Sequence, residues 1–393
     1  MSFIKTIEGK FPLIKNDKVR DILFLIGMSL IVFVETMTTT MFKENLSLYM
    51  SLKIVATVFI FTKIIFFDFW SLKNCAFFCI SFLISLLVKF YSSYSDCFFW
   101  TLLIWGARDI NFRKILKCHV FVVFSIVLCA FVASSFGLIE NLQYFRNDDI
   151  RNSFGICYPT DFAAYIFFLM LSFFYLYKDR LKWWIYSLGL VIAYIVYKYT
   201  YARLDCICMT ILSILFMVVS IVSPYLKEKA NILRTVLCFA IIPLALLCII
   251  LSYCYNPEIS WMRELDSVFS TRLALGRESF NKLRVTPFGQ FFLMVGNGGS
   301  TEYRADYFFL DSSYLYVLFR YGVVFTILLL SSFVSSALKR KGDLFFIAAV
   351  LVIAINATTA HHLTHVQYNP FFMALFAFFP KESGETEEQR VLS

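Results

Sequence analysis

Runs of about twenty predominantly apolar residues recur along almost the whole chain, and about that many are needed for one helix to cross the core of a bilayer. The runs at 21–41, 48–67, 75–91, 97–107, 118–138, 159–177, 183–201, 204–223, 235–254, 311–335, 344–360 and 367–380 read as helices. The expected class is therefore an all-α polytopic membrane protein with about twelve transmembrane helices. The fourth and twelfth runs are short and can be re-entrant or tilted against protein. Composition agrees, because a chain of 393 residues with 60% hydrophobic and 16% charged residues has more apolar surface than one soluble core can bury.

Polar interruptions divide the chain. Residues 1–20 read as a cytoplasmic N-terminal segment, 21–254 as nine helices, and 255–310 as one large extracytoplasmic loop with an amphipathic helix. Residues 311–380 read as three more helices and 381–393 as an acidic, disordered cytoplasmic tail. Lys5, Lys10, Lys15, Lys18 and Arg20 precede the first run, no small-residue cleavage site follows it, and it reads as an uncleaved helix. With the N-terminus in the cytoplasm, the basic clusters around Arg108–Lys117, Lys178–Lys182, Lys227–Arg234 and Lys339–Lys341 fall on the inner side, as positive-inside bias requires. The net charge of +9 is thus divided among short clusters and forms no continuous stripe for nucleic acid. Most of the 11 cysteines sit inside apolar runs as small hydrophobes, and Cys206-x-Cys208 has no second pair at metal spacing.

This orientation places four elements outside: 139–158, the turn near 200–204, the loop 255–310 and the turn 361–366. Arg151 lies just ahead of a helix start marked by Pro159, Thr160 and Asp161, where free backbone N–H groups and an arginine suit a phosphate; an interfacial arginine reaching to headgroups is the other reading. Arg203 occupies a tight turn and can pair with Asp205. In WMRELDSVFSTRLALGRESFNKL, helical spacing puts Trp261, Leu265, Val268, Phe269 and Arg272 on one face. A cation there needs an anion to meet it. Arg277 falls about 140° round that helix and reads as solvated. Asp311 stands at the mouth of the tenth helix, either as its N-cap or as a general base, with Arg320 roughly 13 Å deeper. Glu35 and Lys53 lie at similar depth and can neutralise each other. His361, His362 and His365 follow the eleventh helix without the glutamate of a zinc helix.

The order of these outer elements resembles the bacterial O-antigen and capsular polysaccharide polymerases, which share a superfamily with the O-antigen ligases. The resemblance spans roughly residues 95–380. It rests on RNSFGICYP, the arginine of TYAR, STRLALGRESF followed by a glycine-rich stretch, and DSSYLYVLFRYG. It implies a GT-C-like fold in a bacterial cytoplasmic membrane. The chain would join polyprenyl-diphosphate-linked oligosaccharide repeat units into capsular polysaccharide, exopolysaccharide or O-antigen. Arg203 and Arg272 match the arginine pair that engages the donor diphosphate, and Arg151 a further basic position. Asp311 stands where the ligases carry a histidine proposed as acceptor base, a departure that leaves His361 or His362 as alternative bases. Arg277, Arg320 and Glu35 are additional site candidates. Donor and acceptor lipids, the bilayer, a flippase and chain-length regulators are the implied partners.

The chemistry is compatible with that implication. Displacement at an anomeric carbon bearing a lipid diphosphate expels a stabilised anion, so arginine forks suffice without a general acid, metal or other cofactor. One carboxylate or imidazole then takes the acceptor proton, and the absence of an identifiable carboxylate pair points to inversion. The rival readings are a lipid-linked oligosaccharide flippase, which calls for a polar path through the membrane, and a ligase, which uses a different acceptor.

Overall fold

The computed structural model describes residues 16–42, 44–146, 149–223, 225, 231–301 and 305–380. Most of the N-terminal segment, Lys227 and Lys229 of one basic cluster, and the acidic tail lie outside the described residues. The chain is mostly helical. Helices α1 (Asp17–Met37), α2 (Leu46–Phe67), α3 (Leu72–Ser92), α4 (Asp96–Gly106) and α5 (Phe112–Ser135) come first. A β-hairpin, β1 (Gln143–Arg146) and β2 (Asp149–Asn152), precedes α6 (Pro159–Leu176). A 3-10 turn, Trp183–Ser187, leads into α7 (Leu188–Thr200), followed by α8 (Arg203–Val222), α9 (Asn231–Cys238) and α10 (Ile241–Cys254). The long loop carries α11 (Ser260–Val268) and α12 (Arg272–Lys282), and α13 (Ser313–Lys339) and α14 (Leu344–Asn356) complete the bundle. Side chains of Asn16, Asn45, Ser71, Asn111 and Asp343 cap five of these helices by accepting backbone N–H bonds.

Among the described residues, six helices (α2, α3, α5, α6, α8 and α13) are long and apolar enough to cross a membrane. The pair α9–α10, bent by 41°, makes a seventh if it is counted as one span. Helix α1 is as long, but Arg20, Asp21 and Glu35 interrupt it. Burial separates the central helices from the lipid-facing ones: 72% of the apolar window of α6 is inside the protein, against 28% for both α2 and α3. The large side chains left outside, such as Phe90 and Phe121, belong to a surface solvated by lipid.

Three expectations need correction. The run 367–380 is not a transmembrane helix. It holds a 3-10 turn, Phe371–Leu375, whose Phe371, Phe372, Met373 and Ala374 are buried in protein. Pro370 and the Asn369 side chain, which donates to Leu363 O and accepts from Phe371 N, shape that turn. Phe378 then exchanges backbone hydrogen bonds with Ile110 and Phe112, pinning the segment beside α5. The fold is also not purely helical, since the β-hairpin fills much of the 139–158 segment.

The long loop, thirdly, does not carry one continuous helix. Ser270 and Thr271 adopt left-handed conformations (φ 55° and 66°), so α11 and α12 are separate. The expected stripe is consequently broken: Trp261 and Val268 are exposed, whereas Met262 and Asp266 are buried. Asp266 Oδ1 accepts from Leu273 and Ala274 N and so caps α12 across the break.

Beyond α12 the loop inserts into α13. That helix is interrupted at Gly322 (φ 85°), where the N–H groups of Val323 and Val324 donate to Thr286 O and Pro287 O at 3.0 and 3.1 Å. A side chain at Gly322 would lie 2.3 Å from Gly289 N, and one at Gly289 would lie 2.1 Å from Arg320 O. The two backbones touch because neither residue has a Cβ.

Candidate functional site

One cavity of about 260 Å³ gathers residues from four separate stretches. The hairpin and the start of α6 supply Phe145, Arg151, Tyr158 and Thr160. Tyr201, Ala202, Arg203, Leu204 and Asp205 come from the α7–α8 turn, Ser270 and Arg272 from the break between α11 and α12, and Tyr307 and Asp311 from the approach to α13. Arg151, Arg203, Arg272 and Asp311, distant in sequence, therefore share one cavity. Lys339 and Arg340 stand at the opposite end of α13 from Asp311, so the cavity and that basic cluster occupy opposite ends of the bundle.

Local backbone geometry aims each arginine. Arg151 pairs with Tyr144 in the hairpin register and is buried; its Nε donates to Thr200 O at 2.9 Å, and its guanidinium lies over the Tyr158 ring. Arg203 is the first residue of α8, set by a left-handed Tyr201 that ends α7, and its Nη2 donates to Ser270 Oγ at 3.2 Å. Arg272 opens α12. Its Nε donates to Thr359 O at 2.6 Å, its Nη1 to Phe269 O at 3.1 Å, and its Nη2 lies 3.3 Å from Asp311 Oδ2.

Among the described residues, neither Arg151 nor Arg203 has an ion-pair partner. The Arg203–Asp205 pair suggested by the tight turn is not formed; Asp205 Oδ1 instead accepts from Asn356 Nδ2 at 3.5 Å. A guanidinium has five N–H donors, so both arginines keep most of theirs unspent. Helices α6 and α8 both begin at the cavity, and neither Tyr158 nor Ala202 closes its N-terminus with a side-chain cap. Their dipoles add positive potential where the arginines already concentrate it. The arrangement can hold an anion through forked, charge-assisted hydrogen bonds.

Asp311, like Asp205, is a carboxylate on the cavity wall. It does not cap α13, whose N-cap is Ser312. Burial raises the pKa of Asp311 above the ordinary carboxylate value, and Arg272 pulls it back toward that value. The result is a carboxylate more basic than usual beside a group of cations, which suits proton abstraction. Burial likewise raises the phenol pKa of Tyr307, which keeps that residue a neutral hydrogen-bond donor.

The remaining candidates lie elsewhere. Glu35 pairs with Lys53 at 2.6 Å. Arg277 is partly exposed: its Nη1 donates to Tyr253 O at 2.5 Å, and its guanidinium lies over the Tyr253 ring. Arg320 stacks between Tyr94 and Tyr316 beside the Gly322 break. His361 does not line the cavity. It packs on Phe309, His362 and His365, and burial pushes the pKa values of all three histidines below the ordinary imidazole value, that of His365 to about 4.

Sequence reading missed Tyr158, Tyr307 and Ser270 as cavity residues. In a chain with 22 tyrosines, no individual tyrosine stands out. The nearest signal for Tyr158 is its position before Pro159, where a helix N-terminus opens. The chain matches no protein-family model, no curated protein and no solved structure.

Proposed function

We propose that the chain is a membrane glycosyltransferase that polymerises polyprenyl-diphosphate-linked oligosaccharide repeat units on the outer face of a bacterial cytoplasmic membrane. The observation that carries this reading is the convergence of Arg151, Arg203 and Arg272 with Asp311 on one cavity at two open helix N-termini. At about 260 Å³ the cavity is slightly smaller than the ~300–1,000 Å³ typical of ligand pockets, a size for a diphosphate head and not for a whole oligosaccharide. In this reading the arginines clamp the diphosphate and take up the charge that grows as the glycosidic oxygen departs. Asp311 takes the proton from the acceptor hydroxyl as its oxygen bonds to the anomeric carbon; the bond from that carbon to the diphosphate oxygen breaks, the polyprenyl diphosphate leaves as the anion, and the configuration inverts. No metal is needed at this cavity. The same reading includes a GT-C-like architecture, both termini in the cytoplasm, and a flippase and chain-length regulators as partners.

The test is to purify Arg203→Ala, Arg272→Ala and Asp311→Asn variants and supply each with lipid-linked repeat units. Loss of the polymer ladder in all three at normal expression supports the assignment. Undiminished ladders in both arginine variants overturn it. A flippase would move its lipid without lengthening the glycan, and a ligase would pass glycan to another acceptor without forming a ladder.

A further inference from the structure

His361, His362 and His365 lie on the segment between α14 and the 3-10 turn, and one ligating nitrogen from each falls within 4.8 Å of the others. Ring centroids of His361 are 4.3 Å from His362 and 5.2 Å from His365. His362 is 2% exposed, and the Nδ1 atoms of both His362 and His365 are buried without a hydrogen-bond partner. A buried imidazole nitrogen left unpaired is costly, and two of the three clustered histidines each carry one.

We propose that these three histidines form a binding site for a divalent transition-metal ion of the zinc class, distinct from the arginine cavity. Three imidazoles with a fourth position for water is an established zinc donor set. Tetrahedral bonds of about 2.0–2.1 Å place ligand nitrogens about 3.3 Å apart, so the three nitrogens would draw together by up to about 1.5 Å to hold an ion. The surroundings can orient the ligands. Tyr316 packs on both His361 and His365, its hydroxyl lies 3.2 Å from that of Tyr321, and Tyr321 donates to Asp96 at 2.9 Å. Arg320 and Arg272 add positive potential nearby, which the Asp96 carboxylate partly offsets.

A metal here would have a structural consequence at the cavity. Thr359, two residues before His361, gives its carbonyl to Arg272 Nε. Fixing residues 361–365 therefore helps fix that acceptor, and through it the direction of Arg272.

The experiment uses the full chain purified without a polyhistidine tag, stripped with chelator, loaded with Zn²⁺ and passed through gel filtration before metal analysis. The expected content is about one equivalent per chain, falling about tenfold or more in a His362→Ala/His365→Ala variant. Loading with Co²⁺ provides a reading on the wild-type chain alone, so a variant that fails to fold does not obscure the result. Intense visible absorption of tetrahedral cobalt supports the site. A wild-type chain that retains no Zn²⁺ and shows no tetrahedral Co²⁺ spectrum overturns it, as does equal retention by the folded double variant.

Discussion

Arg272 Nη2 stands 3.3 Å from Asp311 Oδ2 across the mouth of α13, joining the long loop to the helical bundle by a cation and a carboxylate that both face the cavity. Arg272 holds the Asp311 pKa down against the upward push of burial. If Asp311 is the base, activity requires its ionised form. The acid limb of the rate profile should lie above the usual carboxylate range in the wild type and move to still higher pH in Arg272→Ala. Asp311→Asn should lose roughly 10²–10⁴-fold in rate and leave no carboxylate limb. Polymer formation measured across pH decides this, and an acid limb unmoved by Arg272→Ala would remove Asp311 from the base role.

Arg151 and Arg203 differ in what else they hold. Arg203 has one side-chain contact, to Ser270, whereas the Arg151 Nε bond to Thr200 O ties the hairpin to the end of α7. Arg203→Ala should therefore cost about 10²–10³-fold in turnover with little change in thermal stability. Arg151→Ala should lower both turnover and melting temperature. Arg203→Lys should recover less than half of the loss, because an ammonium cannot fork onto a diphosphate. Turnover and melting measured on the same detergent preparations separate the two cases, and full activity in Arg203→Lys would argue against bidentate binding.

Helix positions were largely legible because an apolar run of spanning length has few other uses, and starts such as Pro159 were marked by their turn residues. Hydropathy failed at 367–380, where apolar side chains are buried in protein and not in lipid. It also could not reveal the break at Ser270–Thr271, since neither residue is one that favours the left-handed region. That break removed the argument that placed Arg272 on a continuous helix face, yet Arg272 reaches the cavity as the first residue of α12. The arginines could be singled out because a cation near a membrane surface needs a partner; the tyrosines beside them carry no comparable demand.

The Gly322–Gly289 contact gives an expectation independent of function. A methyl group at Gly322 meets Gly289 N at 2.3 Å and Pro287 O at 2.4 Å, at a φ of 85° that L-residues avoid. Gly322→Ala should cost about 1–3 kcal/mol for the backbone conformation alone, and more for the displaced loop. Melting monitored by gel filtration should show a large fall. Ala at Gly342, where nothing lies within 4 Å, should leave the transition in place. Equal melting temperatures for the two variants would show that the loop does not enter α13 at this break.

Lys63 provides the last expectation. Its ammonium is fully buried near the end of α2, 2.6 Å from Asp68 Oδ1 and donating to Arg108 O at 2.7 Å. Removing one member of such a pair leaves the other charge buried alone, so Lys63→Met should destabilise by about 3–5 kcal/mol. Removing both should cost much less, because the desolvation of two ions disappears together with their attraction. A double-mutant cycle of Lys63→Met, Asp68→Leu and the combined variant, read as resistance to unfolding in mixed detergent, measures the coupling. If the double variant is as unstable as the sum of the singles, the two charges are not partners and the C-terminal end of α2 is held by packing alone.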